Sequence, residues 1–364
     1  MRNKDKTYND NYLKENHSIK LEIMKIENEL KLDFSDVLIR PKRSVLKSRS
    51  EVNLEREFKF PHSTQIWRGI PIIASNMDTV GTVEMYESLK EYNMLTCFHK
   101  FMNKGDYPKN DRNKYIISIG IREEDYQKLG EIYKEDPSKC NLVCVDIANG
   151  YIDDLVKFCQ RVRKLIPHCI LMAGNVVTRE MVEELIINGK VDIVKVGIGS
   201  GSVCTTRLQT GVGMPQLSAI LECSDAAHGC GGHIISDGGI TCPGDASKAF
   251  GGGADFVMLG SMLAGHKESG GVIVEEAHGK TYKVFYGMSS DTAMNKHYGG
   301  VRNYRSSEGK TVKIEYRGEV RDTIDDLLGG IRSTCTYVNS KNLKDLPKCT
   351  TFVRVNNQVN RMYG

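Results

Sequence analysis

The sequence predicts an α/β fold, a (β/α)8 TIM barrel, and three observations carry that reading. Eight short apolar, β-branched runs recur from residue 70 onward, at 70–74, 94–97, 115–119, 142–147, 170–173, 193–196, 233–236 and 256–259. Near-continuous hydrophobicity over so few residues fits strands buried on both faces, as in a parallel sheet. Most runs are followed by polar or glycine residues and then by a helical pattern, as at 82–91, 122–134, 151–165, 178–187 and 214–227. Such alternation builds βαβ units. Most runs begin about 22 to 27 residues after the one before, and eight units of that length close a barrel. An open doubly wound sheet is the rival architecture.

Taken in order, residues 1–31 form a polar N-terminal extension with 7 basic and 6 acidic residues. Weak helical periodicity over 17–31 suggests a short accessory helix, with disorder at the extreme end. Residues 32–364 read as one barrel domain. The connection at 101–113 is short and polar, so no full helix is expected there. One strand-to-strand interval is much longer than the rest, about 40 residues from Ile193 to His233. It holds GIGSGSVCTTRLQTGVG, too glycine-rich for a helix, and a long loop at the C-terminal end of a barrel strand is where a barrel places chemistry. The catalytic loop is therefore set at about 197–213. Residues 266–320 show no helical period but read as hairpin-like polar strands, a long flap over the barrel mouth. A closing helix is expected at 322–338.

Composition narrows the function classes. Apolar residues make up 40% and charged residues 26% of the 364, which excludes a disordered chain. A net charge of +4 from 50 basic and 46 acidic residues gives no argument for nucleic acid. No apolar run is long enough to span a membrane, and MRNKDKTYND lacks the apolar core of a secretory signal. The 11 cysteines, an odd number scattered through apolar runs, read as reduced thiols in a cytoplasmic protein.

Three motifs carry chemistry. Ser236-Asp237-Gly238-Gly239 follows run seven, and Leu259-Gly260-Ser261 follows run eight. Glycines at these two strand ends let backbone N–H groups approach a phosphate. Asp237 beside them has the lone pairs to accept from both hydroxyls of a ribose. Alone, the pair indicates a phosphorylated ligand, flavin mononucleotide included. In the second motif, Gly199 to Arg207, Cys204 sits among glycines whose free N–H groups favour a thiolate. Loop carbonyls there can hold a hard cation, and Thr206 is near enough to pass a proton. The third is Glu308 on the flap, an acid or base if the flap closes and a solvated surface residue if it does not. Asp146 and Asp78 stand at the ends of runs four and one, each equally able to cap a turn. His99-Lys100 ends run two.

The strings LDFSDVLIRPKRS, IPIIASNMDTVGT, VKVGIGSGSVCTTR, HIISDGGI, GADFVMLGSMLAG, FYGMSSDTAMNKHYGGV and GGIRSTCTYV closely resemble the inosine-monophosphate dehydrogenase/GMP reductase family over about 32–355. Three features resemble its reductase branch. No paired regulatory repeats interrupt runs two and three, FYGMSS has the reductase form, and the flap reads Tyr304-Arg305 and then Glu308. The resemblance implies NADPH-dependent reductive deamination of GMP to IMP and ammonia, through a covalent thioimidate on Cys204. Thr206 and Glu308 would relay the proton. Ser202, Asp237, Gly238, Gly239, Gly260, Ser261, Tyr286, Gly287, Met288, Ser289, Arg305, Ser306, Ser307 and Gly309 would contact the nucleotide. Lys100, Asp146, Ile147, Ala148, Met288, Tyr304, Arg305, Ser333, Thr334, Cys335 and Thr336 would contact NADPH, with Ser48 and Arg49 reaching a neighbour's cofactor in a homotetramer. Gly199, Gly201, Cys204 and Arg207 would ring a potassium ion. The chain departs from the family at Ser200, usually proline, and at Ser261, usually glycine in reductases.

Overall fold

The computed structural model describes residues 26–108, 113–276, 279–300 and 306–356. The chain divides into two compact units, Met1–Lys31 and Leu32–Gly364. Only 26–31 of the first are described, so the accessory helix expected over 17–31 lies largely outside the described residues.

The eight apolar runs become eight parallel strands: β1 (Ile72–Ala74), β2 (Leu95–Phe98), β3 (Tyr115–Ile119), β4 (Leu142–Asp146), β5 (Ile170–Val176), β6 (Ile193–Val196), β7 (His233–Asp237) and β8 (Phe256–Leu259). Each pairs with its sequence neighbour, and β8 pairs with β1, so the sheet closes and the open-sheet alternative is excluded. The runs are apolar because alternate side chains point into the barrel and out toward the helices, and both faces are dry. The inner face carries Ile73, Leu95, Ile116, Cys144, Met172, Ile193, Ile235 and Met258 in one apolar cluster. The outer face joins a larger cluster with the helices.

Six helices follow where they were expected: α1 (Val83–Lys90), α2 (Glu123–Glu135), α3 (Asp153–Leu165), α4 (Arg179–Ile187), α5 (Gln216–Gly229) and α7 (Arg321–Tyr337), while α6 (Pro243–Gly251), between β7 and β8, was not anticipated. Between β2 and β3, the described residues hold only a 3-10 turn, Lys104–Asp106, as the polarity of that stretch led us to expect. Two other connections differ from expectation. The glycine-rich loop contains one short helix, Thr206–Thr210, which Gly211 ends in the left-handed conformation at φ 71°. The flap is a three-stranded antiparallel sheet, β9 (Ile273–Glu275), β10 (Thr281–Tyr286) and β11 (Thr311–Glu315). A helix, Asp291–Tyr298, is inserted between its last two strands. Ser290 caps it by accepting from the Ala293 N–H at 3.2 Å. It buries only Ala293 and Met294, too few for a helical period to show in the sequence.

The N-terminal part of the barrel unit had no predicted elements, and it holds two. The strand Val37–Ile39 pairs with Phe352–Arg354. The hairpin Arg56–Lys59 with Ile66–Gly69 plugs the N-terminal end of the barrel. Its Phe58 stacks on Phe256, the first residue of β8, at 4.5 Å, and Trp67 lies 5.3 Å from the same ring.

Candidate active site

The glycine loop after β6 and the flap meet at Cys204. The Gly309 backbone bridges to Cys204 on one side and to Ser290 on the other. Backbone hydrogen bonds run from Thr205 N to Glu308 O at 2.9 Å, from Lys310 N to Val203 O at 2.9 Å, and from Glu308 N to Ser289 O at 3.1 Å. So tight a crossing favours glycine: a Cβ on Gly309 would crowd Ser290 N at 3.0 Å, and one on Gly287 would crowd Val203 O at 3.0 Å. The crossing sets a linear hydrogen-bond chain. The Cys204 thiol donates to Thr206 Oγ1 at 3.2 Å, and that hydroxyl donates to Glu308 Oε2 at 2.7 Å. Glu308 is thus joined to Cys204 through Thr206 and is not a solvated surface residue.

Two cavities share Asp237, and the second of them opens onto this chain. One, of about 670 Å³, is lined by Ser202, Asp237, Gly238, Gly239, Gly260 and Ser261, with Ser75, Met77 and Arg207. Gly238 has φ +94°, and a Cβ there would lie 2.5 Å from Ser200 Oγ, so only glycine fits between the two loops. Ser200 donates its hydroxyl to Asp237 O at 3.1 Å. That bond ties the cysteine loop to the end of β7. The second cavity, of about 460 Å³, is lined by Lys100, Asp146, Ile147, Ala148, Gly287, Met288, Ser289 and Ser306. Cys204, Thr206 and Glu308 line this second cavity, and Asp237 lines both.

Beneath the junction lies a polar network. Lys195, 2% exposed, projects from the middle of β6. Its ammonium sits 2.5 Å from Asp146 Oδ1 and 3.2 Å from Asp237 Oδ2. Asn76 donates to Asp146 Oδ2 at 2.8 Å, and Asn175 donates to Asp237 Oδ2 at 2.8 Å. Burial opposes charge on both Lys195 and Asp146. Their mutual attraction outweighs it, holding the ammonium well above and the carboxyl below their ordinary values. Asp146 therefore does not cap its turn; it faces the cavity as a held carboxylate.

Asp78 does not cap a turn either. Its Oδ2 accepts from Tyr286 OH at 2.7 Å, from Lys296 Nζ at 2.8 Å and lies 2.6 Å from His297 Nε2, which fastens the flap helix to the end of β1. Burial raises the Asp78 carboxyl, but these donors together hold it below its usual value. His297 stacks flat on Phe101 at 3.8 Å. Burial pushes the neighbouring His99 down to about 4, so it is neutral at physiological pH.

Several expected contacts lie elsewhere. Tyr286 is turned to Asp78 and lines neither cavity. Ser307 donates to Gly309 O at 3.0 Å, bracing the flap turn. Tyr304 and Arg305 lie outside the described residues. Ser333, Thr334, Cys335 and Thr336 sit at the C-terminal end of α7 and line neither cavity; the helix as a whole packs against the 49–51 turn. Cys335 is wholly buried there, and burial pushes its thiol up to about 12, so neither its thiol nor its backbone is open to a ligand in this structure. Gly199 takes φ +79° against the Arg207 side chain, whose guanidinium pairs with Asp33 at 3.1 Å. The carbonyls of Gly199, Gly201 and Cys204 are neutral donors with no carboxylate among them, which suits a large monovalent cation better than a divalent one.

Sequence reasoning passed over Lys195, Asn76 and Asn175. The one available signal was a lysine inside the otherwise apolar run IVKV.

Comparison with known proteins gives a consistent outcome. The family model described as IMP dehydrogenase / GMP reductase domain matches residues 31–361. Curated proteins named GMP reductase from Vibrio cholerae serotype O1, Salmonella paratyphi B and Klebsiella pneumoniae subsp. pneumoniae are each 57% identical over 348 residues. The alignments cover 94% of this chain and 99% of each relative.

Proposed function

Because the chain belongs to the IMP dehydrogenase / GMP reductase family, we propose that it reduces GMP to IMP, releasing ammonia, with NADPH as reductant. The observation that carries this reading is the directed chain from the Cys204 thiol through Thr206 to Glu308 at the wall of the cavity of about 460 Å³, which shares Asp237 with the one of about 670 Å³. The cavity of Asp237, Gly238, Gly239, Gly260 and Ser261 suits a nucleoside monophosphate. Its glycines admit a phosphate and Asp237 accepts from the ribose. The cavity of Lys100, Asp146 and Met288 suits a nicotinamide: Met288 gives it an apolar lining, and Asp146 is a held carboxylate that can receive an amide N–H. When bound there, NADPH supplies the hydride for C2.

The relay accounts for one proton through the first half of the reaction. Thr206 passes the thiol proton to Glu308, leaving a thiolate that attacks C2 of the purine. Glu308 returns that proton through Thr206 to the C2 amine, which departs as ammonia, leaving the purine joined to Cys204 as a thioimidate. Once hydride reaches C2, the C2–S bond breaks and IMP leaves. The threonine hydroxyl is too weak an acid to act alone, so Glu308 must stand behind it. A potassium ion held by carbonyls of Gly199, Gly201 and Cys204, with Arg207 bracing the loop, would fix the thiol's position.

We assign the chain to the cytoplasm on its thiols, all eleven of which are free. Among the described residues no helix is long and apolar enough to cross a membrane. A homotetramer is also part of this reading. Ser48, Arg49 and the α7 end line neither of the chain's own cavities, which leaves them to serve a neighbour's. The test is nicotinamide absorbance: GMP should oxidise NADPH, whereas IMP with NAD should give no steady turnover. The opposite pattern would assign the dehydrogenase reaction.

A further inference from the structure

We propose that Lys195 is a positioning residue that sets Asp237 for the nucleotide and Asp146 for the cofactor with one ammonium, so that the two cavities share a single electrostatic support. This rests on the reductase reading for the identity of the ligands, but not for the support itself. The ammonium is in reach of both carboxylates, at 2.5 Å and 3.2 Å. Each carboxylate has in addition its own neutral donor, Asn76 for Asp146 and Asn175 for Asp237, both at 2.8 Å. The four side chains come from the ends of four strands, or just beyond them. Only Lys195 touches both halves.

The charge count makes Lys195 indispensable to that arrangement. The charged and titratable groups that face it are Asp146 on β4, Asp237 on β7, Lys100 beyond β2, and the thiols of Cys144 and Cys97 on the barrel's inner face. Cys97 is buried and burial holds its thiol well above its ordinary value, so it carries no charge. Lys100 acts on Asp146 only at a distance. Two part-buried carboxylates that face the cavities thus depend on one buried contacting cation. Removing one partner of a buried ionic group leaves an uncompensated charge, which a carboxyl relieves by taking a proton. A protonated Asp237 or Asp146 has lost acceptor capacity, and both ligands lose their anchor together.

Lys195→Met is the direct test. At neutral pH the ligand-free variant should show the infrared band of a protonated carboxyl, absent from the wild-type chain. Its GMP and NADP affinities, measured by titration calorimetry, should fall together by about tenfold or more and recover as pH rises. Asn175→Ala, which removes a donor from Asp237 alone, should weaken GMP and leave NADP within about twofold. Lys195→Arg should restore both affinities and the flat pH profile. If Lys195→Met fails to fold, Lys195→Met/Asp146→Asn removes one charge of each sign and should keep GMP binding while losing NADP. The proposal is overturned if Lys195→Met binds both ligands like the wild type with no new pH dependence, or if the double variant keeps full NADP affinity. Failure of the wild-type chain to oxidise NADPH with GMP would count against the reductase reading instead, and the infrared band would still report on Lys195.

Discussion

At the level of single residues, the hydrogen-bond chain from Cys204 through Thr206 to Glu308 divides the work. Cys204→Ala should bind GMP and give no NADPH oxidation, because among the described residues no other thiol lines the cavity that holds Thr206 and Glu308. Glu308→Gln keeps the side chain's size and its bond to Thr206 but cannot hold the proton. Steady turnover should fall on the order of 10²–10⁴-fold. The reverse hydride step, from IMP and oxidised cofactor to the covalent intermediate, needs no proton at the amine and should be slowed much less. Stopped-flow absorbance separates the two, and equal slowing of both would make Glu308 a general support of the closed flap. Cys204 and Thr206 were legible in the sequence because a cysteine among glycines is unusual for a buried thiol. Glu308 was legible only through family resemblance, since its partner stands 102 positions away. Lys195 was not: a single lysine in an apolar run names no partner, and its two carboxylates come from strands distant in sequence.

At the level of elements, the flap is held from below. Asp78 takes three donors from the flap, and two of them, Lys296 and His297, belong to the inserted helix. The carboxyl is held below its usual value, so this anchoring is complete above the ordinary carboxyl range, near pH 4. It is lost as pH falls through the lowered value. Asp78→Asn removes the charge and should loosen Met288 and Ser289 at the root of that helix. KM for NADPH should rise about tenfold with kcat less affected, and protease cleavage of 291–298 should become faster. An unchanged KM would detach the anchor from function. The cysteine loop yields a second expectation. If its carbonyls hold potassium, replacing potassium with lithium should cut the rate several-fold; equal rates in the two salts would reject the site. The flap's strands were legible from their alternation. Its helix was not, because eight mostly polar residues with two buried ones leave no periodic trace.

At the level of the whole molecule, the two ends of the barrel do different work, and a single substitution can show it. The proposed chemistry lies at the C-terminal ends of the strands, while the 56–69 hairpin plugs the other end. The eight strands were readable because each is dry on both faces. The plug was not, because its alternation, REFK against IWRG, is short and its apolar face is completed only by Phe256, far along the chain. Trp67 is its keystone: 3% exposed, 5.3 Å from Phe256, with its indole N–H donating to Asn113 O at 3.0 Å. Trp67→Ala removes one of the largest apolar side chains in the inner core and opens a cavity under β8. The expected cost is about 3–5 kcal/mol of stability, a large share of what a domain has to lose. The strands that carry Asp146, Lys195 and Asp237 continue past this layer to the opposite face, and their mouth contacts are untouched. Per folded molecule, kcat and KM for GMP should therefore match the wild type at low temperature, with the unfolding midpoint in urea sharply lowered. A drop in kcat without a loss of stability would mean that strain at the plug reaches the mouth and that the barrel does not separate stability from chemistry.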